Sequence, residues 1–197
     1  MTNIPYWSLL ATLGMGLMLS PLPSSGWQQQ EMKPSSQRPP SAEQRMVQRI
    51  YREVGHELRM LPRFSRFDNL AYKVEGGTVT LLGQVYHADL KSDAEHRVKR
   101  IEGVDKVVNQ IEILPVSIND DRLRRQLSRA IFNDPRLTQY AIQPVPPIHI
   151  IVKNGHVSLE GVVRNQGDKN AAGIRANGVF GVFSVENNLV VESKGTR

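Results

Sequence analysis

The chain has 197 residues, 40% of them hydrophobic and 22% charged, with a net charge of +6. It contains no cysteine, which excludes disulfides, thiolate catalysis, thiolate metal sites and cysteine lipidation within these residues. The charge is uneven: residues 1–30 carry none, 31–40 give +1, 41–114 give +1 (12 basic, 11 acidic) and 115–197 give +4 (11 basic, 7 acidic), so an anionic partner is expected for the second half.

The first elements in chain order are segments without a core. "WSLLATLGMGLML", Trp7 to Leu19, is uncharged and shorter than the roughly 20 residues a bilayer span needs. Ser24 and Gly26 follow as small residues, so residues 1–26 read as a signal peptide cleaved after Gly26. Residues 27–40, rich in Gln, Ser and Pro, cannot bury much surface and read as a disordered tether. Without cysteine there is no lipobox. The expected localisation is therefore the periplasm, in a protein that is not a lipoprotein.

A helix follows. Ser41 to Gln44 is a capping box, and Met46, Ile50 and Val54 form an apolar stripe. Leu70, Tyr72 and Val74 alternate with polar residues as a strand does. Glu75-Gly76-Gly77 predicts a hairpin turn, and Val79, Leu81, Gly83 and Val85 form the returning strand. A glycine inside a strand marks a bulge or a close helix crossing. Leu90, Ala94, Val98 and Ile101 fall on one helical stripe that Gly103 ends. "KVVNQIEIL", Lys106 to Leu114, is the closing strand.

The sequence then repeats itself. Shifting the chain by 78 residues lays 74–113 on 152–191 without a gap, with 13 identities in 40. They include Gly77/Gly155, Gly83/Gly161, Gly103/Gly181, Val107/Val185 and Asn109/Asn187. Shared apolar and glycine positions specify a shared backbone more than a shared site. Ahead of this copy, Asn119 is the expected helix cap and Leu123, Leu127 and Ile131 the apolar stripe, with Asp134-Pro135 ending the helix. The predicted fold is α+β: tandem α-β-β-α-β units over 41–114 and 115–192, each a three-stranded mixed sheet covered by two helices, with 193–197 a tail. Only residues 115–118 separate the units, so they should pack closely.

The doubled pattern "VEGGTVTLLGQV…GVDKVVNQIEI" and "VKNGHVSLEGVV…GVFSVENNLVV" resembles the BON (bacterial OsmY and nodulation) family. The resemblance covers 70–114 and 148–192. It implies periplasmic or outer-membrane-associated binding modules, often paired, that bind phospholipid and support envelope integrity, with no catalytic motif.

The residues themselves point to one candidate site. On the helix "DDRLRRQLSRAIFNDPR", Arg122, Arg125 and Arg129 fall together opposite Leu123 and Leu127, Phe132 projects toward the same side, and Arg136 follows. Guanidinium groups bonding phosphate oxygens, with an aromatic ring in the headgroup boundary, fit an anionic phospholipid surface. The bland reading packs Phe132 against the first unit and pairs the arginines with Asp120, Asp121 or Asp134.

Other chemistries find no support. The histidines lack metal-ligand spacing, and there is no G-x-S-x-G elbow or phosphate loop. No cofactor, no metal and no enzymatic activity are expected. Nucleic acid is not an expected partner either, because the GXXG clamp of a KH domain is missing. The expected function is a non-enzymatic envelope module that docks weakly on anionic phospholipid, or on an envelope protein near it, and supports envelope integrity or stress tolerance. The alternative is a periplasmic protein-interaction or chaperone-like stress module without lipid affinity, its sheet edges receiving a partner strand.

Overall fold

The computed structural model describes residues 41–143 and 145–192. The expected signal peptide, the tether and the 193–197 tail lie outside those residues. The first repeat runs α1 (Ala42–Arg59), β1 (Asn69–Glu75), β2 (Thr78–Val85), α2 (Ala88–Val98), β3 (Lys106–Asn109) and β4 (Glu112–Ile113). The second runs α3 (Ile118–Phe132), α4 (Thr138–Ala141), β5 (Ile148–Lys153), β6 (His156–Val163), α5 (Gln166–Asn177), β7 (Ser184–Asn187) and β8 (Val190–Val191). The short α4 has no counterpart in the first repeat.

In each repeat a hairpin pairs two antiparallel strands, and the last segment runs parallel to the second of them. The α+β architecture with repeated units is therefore observed, with one difference. The expected closing strand is split in two: β3 and β4 both pair with β2, and β7 and β8 both pair with β6. The shared asparagine makes the break. Asn109 Nδ2 donates to the Lys91 carbonyl at 2.8 Å, and its Oδ1 accepts from Ile111 N at 3.2 Å. Asn187 repeats both bonds, to Lys169 and from Leu189. The detour turns Ile111 and Leu189 inward, where each is buried.

The other shared residues also act on the backbone. Ser41 and Gln44 form the expected capping box. Asn154 and Gly155 both adopt positive φ in the second hairpin, as a two-residue turn of that hand requires. The mid-strand glycines are close-approach sites, but to a neighbouring strand rather than a helix. Gly83 (φ +109°) faces the Asn69 carbonyl and Gly161 (φ +115°) the Pro147 carbonyl, where a side chain would collide. One cap differs from expectation: Ser117, not Asn119, accepts from Asp120 N, so α3 starts earlier.

Each repeat has its own core. Ile50, Val54, Val79, Leu81, Leu90 and Ala94 centre the first; Leu127, Ile131, Ile150, Leu159, Ala172 and Leu189 centre the second. Both lie within one compact body, and the segment between α1 and β1 joins them. Asp68, fully buried, fixes this segment by accepting from Ser65 N (2.9 Å), Ser65 Oγ (2.7 Å) and Tyr86 N (2.7 Å). Arg66 then presents its carbonyl to Ile150 N of β5 at 2.7 Å. Phe67 packs on the second core, and Phe64 of the first core stacks on His149 at 5.6 Å between ring centres.

Two predictions follow from these joints. Gly83→Ala and Gly161→Ala should each destabilise the protein by about 2–3 kcal/mol in urea unfolding, since each combines positive φ with a backbone clash. The second concerns His149, whose buried Nδ1 has no hydrogen-bond partner. Burial pulls its pKa below the ordinary value, against the opposing pull of Asp68 and Glu160. The folded state thus binds this proton less readily than the unfolded chain, whose value is about 6.5. The associated stability is complete above that value and is lost as pH falls through it. Stability should decline as pH falls below about 6.5, and His149→Phe should flatten that slope.

Candidate functional site

Helix α3 has the candidate arginines because three of its flanks are already occupied. Leu123, Leu127 and Ile131 face its own sheet and core. A second row at four-residue spacing, Arg124, Ser128 and Phe132, faces the first repeat. The Arg124 guanidinium lies 4.6 Å from the centre of the Tyr86 ring. Ser128 Oγ accepts from Arg66 Nη1 at 3.3 Å, and the Arg66 guanidinium covers the Phe132 ring at 4.7 Å. On the other flank α5 runs antiparallel to α3, with Arg175 reaching Asp134 at 2.8 Å near the end of α3 and Gly181 lying against Leu123 near its start.

What remains outward is Arg122, Arg125 and Arg129, all exposed, with Arg136 exposed beyond the helix. Among the described residues none of the four pairs with a carboxylate. The acids that could neutralise them are otherwise engaged. Asp120, buried in the first turn of α3, accepts from Asn154 N (2.8 Å) and Gly155 N (2.9 Å) and so ties the hairpin to the helix. Asp121 holds Arg124 at 2.6 Å. Asp134 takes the Arg175 guanidinium and the Arg136 backbone N–H, which together hold its carboxyl below the usual range.

Phe132 corrects the expectation. It does not project with the arginines: it is 7% exposed, part of the second core, and roofed by Arg66. The ring is covered, but in the second repeat's own core with Arg66 of the first over it rather than packed wholly on the first unit, and the alternative's pairing of the arginines with Asp120, Asp121 or Asp134 does not occur among the described residues.

Sequence reasoning missed Arg124. This side chain is 2% exposed, bonds Asp121 and donates to the Val152 carbonyl at 2.6 Å. The signal was present in the i, i+4, i+8 spacing of Arg124, Ser128 and Phe132, a second covered face on the same helix. It also missed Asp168, which is buried and accepts from the Tyr140 hydroxyl. That hydroxyl in turn accepts from Arg164 N at 2.9 Å. Burial and this carboxylate contact push the Tyr140 phenol up, against the opposing pull of the Arg164 N–H. Among the described residues no group of three or more His, Asp or Glu side chains could hold a metal, and no helix is long and apolar enough to cross a membrane.

The BON domain profile matches residues 48–115 and again 119–193. The chain belongs to the BON domain family. A similar curated protein is the outer membrane lipoprotein DolP of Haemophilus influenzae, 33% identical over 114 residues, 55% of this chain and 55% of that protein. The chain thus matches about half the length of that relative. Two solved structures of CdsD, a structural protein of the Type III secretion system of Chlamydia trachomatis, one of them its C-terminal domain, also align. They cover 72% and 73% of this chain and 96% and 92% of theirs, at 12% and 11% identity and TM-scores of 0.25 and 0.26. Neither likeness supports a statement about this BON protein.

The DolP similarity overturns the expected localisation as a periplasmic protein that is not a lipoprotein. The exclusion of a lipoprotein rested on the absence of cysteine, but a relative 33% identical over 114 residues is an outer membrane lipoprotein. Missing thiols rule out one attachment chemistry within these residues; they do not decide how a BON protein meets a membrane.

Removing Arg124 should uncouple the repeats. Arg124→Ala leaves the Val152 carbonyl unpaired and strips the Tyr86 ring, and should cost about 2–4 kcal/mol in urea unfolding. Arg124→Lys should recover little of it, because an ammonium cannot fork between two acceptors while stacking on a ring.

Proposed function

We propose that this BON protein is a non-enzymatic cell-envelope module that docks on anionic phospholipid surfaces through the outward face of α3, and that this docking supports envelope integrity or stress tolerance. The observation that carries the reading is the set of four exposed arginines, Arg122, Arg125, Arg129 and Arg136, with no carboxylate partner among the described residues. A solvated charged face usually mixes signs and closes local ion pairs. Here the nearby acids are turned inward or spent on other donors, so the positive potential stays outward. Membership of the BON family and the similarity to an outer membrane lipoprotein support this reading.

The strength is modest. A basic residue near an anionic leaflet contributes about 1 kcal/mol, so four give at most about 4 kcal/mol. Docking of this kind is reversible and screened by salt. The alternative of strand addition loses part of its footing, since Ile150 N and the Val152 carbonyl on β5 are already bonded by Arg66 and Arg124.

Sedimentation with phosphatidylglycerol vesicles should carry the protein down at low salt, and phosphatidylcholine vesicles should not. Arg125→Glu with Arg129→Glu should weaken the phosphatidylglycerol binding by roughly ten- to a hundredfold. Equal sedimentation of parent and double variant would remove α3 as the docking face.

A further inference from the structure

The internal repeat offers a comparison of matched positions. Under the 78-residue shift, His96, Glu102 and Asp105 of the first repeat correspond to Ile174, Phe180 and Phe183 of the second. All six positions are exposed. The first repeat meets water there with polar side chains, as exposed sites normally do. The second places an isoleucine 71% exposed and two phenylalanines 93% and 77% exposed at the same backbone sites.

The fold fixes the backbone that carries these rings, and it seats the Phe183 ring directly. Val179 and Val182 of the same segment pack on the second core. Val182 N donates to Val179 O at 3.3 Å, and Phe183 N donates to Gly155 O at 2.9 Å. The Phe183 ring rests over Gly155, where any added side chain would strike it. In the first repeat the Asp105 carboxylate occupies the equivalent place over Gly77. An apolar ring on a backbone this well pinned loses little conformational freedom on contacting a partner.

Position supplies the occupant. A surface hollow of about 400 Å³ at the start of α3 is lined by both Phe183 and Arg122. A second hollow, beyond the end of α3, is lined by both Ile174 and Arg136. Each end of the arginine helix therefore joins an exposed apolar side chain to a guanidinium without a carboxylate partner. A purely apolar docking partner would leave those cations facing it, and a purely anionic one would leave the rings in water. An anionic bilayer interface satisfies both at once, phosphate for the arginines and acyl boundary for the rings.

We infer that Ile174, Phe180 and Phe183 form an apolar insertion edge that enters the interface of an anionic membrane while the α3 arginines hold the headgroups. This rests on the phospholipid-docking reading above and adds a contribution that salt does not screen. It also fixes the pose, with the α3–α5 side of the second repeat against the membrane.

The test uses the full chain with phosphatidylglycerol vesicles. Phe180→Ser with Phe183→Ser should reduce binding by about tenfold or more at high salt, near 0.5 M, where arginine attraction is largely screened. The loss should be smaller at low salt. Because both rings are exposed, the thermal midpoint should stay near that of the parent. Separately, Phe180→Trp and Phe183→Trp should each add emission that shifts to the blue and is quenched by brominated acyl chains, above the background of the parent. If the parent binds and the serine variant matches it at both salts, with the added tryptophans unquenched, the insertion edge is wrong and arginine docking stands. If the parent ignores phosphatidylglycerol altogether, both fall. If the parent self-associates and the serine variant is monomeric with vesicle binding unchanged, the patch joins two copies instead, and insertion is overturned.

Discussion

Two polar contacts on the free edge of β5 govern the arrangement of everything else. Ile150 N donates to the Arg66 carbonyl, and Arg124 donates to the Val152 carbonyl. An edge strand with unpaired amides and carbonyls invites pairing with another chain. Here a segment of the first repeat and a helix of the second cover it together. Arg66 and Arg124 each do a second job, one roofing Phe132 and the other lying on Tyr86. Arg66 reaches from the first repeat to Phe132 and Ser128 of the second, and Arg124, bonded to Asp121 and Val152 in its own repeat, is covered by Tyr86 of the first. The pair of domains is in that sense a single object, and α3 is its shared wall.

Much of this was legible because a duplicated backbone leaves a duplicated trace. The hairpin turns, the mid-strand glycines and the recurring asparagines occur in both copies because each meets a constraint on φ, on approach distance or on a carbonyl that needs a donor. What failed was the helical projection of α3. A wheel with one apolar stripe assigns every other residue to water, and α3 has a second covered flank. Phe132 falls on that flank, as do Arg124 and Ser128 at four-residue spacing, but a row with two polar members of three does not read as a buried face until the first repeat is seen against it. The exposed arginines were found for the same geometric reason that Phe132 was misplaced: both lie away from Leu123 and Leu127, and only the three-dimensional neighbour tells them apart. The split of the closing strand was hidden too, since Asn109 and Asn187 look like ordinary strand residues until their side chains are seen spanning to α2 and α5.

The two repeats have kept their insides and exchanged their outsides. In the first, three surface cations close on acids, two of which, Glu95 and Glu102, stand at positions that carry no acid in the second: Arg49 with Glu102, Arg97 with Glu57, Lys99 with Glu95. Such exposed pairs add little stability, but they cancel potential. In the second, the corresponding acids are absent or buried, and apolar residues stand where Glu102 and Asp105 stand in the first. Divergence of that kind assigns different surroundings to the halves. The first presents a neutralised face suited to water, and the second a cationic and apolar face suited to a boundary between phases.

That division explains why a rigid joint matters for a weak binder. Four arginines worth about 4 kcal/mol together would correspond to a dissociation constant of about a millimolar, before any ordering cost. A docking face assembled from freely moving domains would lose part of that small sum to orientation on each encounter. With Asp68 locking the joining segment and Arg66 and Arg124 closing the β5 edge, the orientation is set during folding. On the proposed docking, the arginines and the exposed rings of Phe180 and Phe183 would meet a surface as one preformed body. In that pose the first repeat would contribute without touching the membrane: by covering Phe132 and the β5 edge, it leaves the outward side of α3 as the side free to bind.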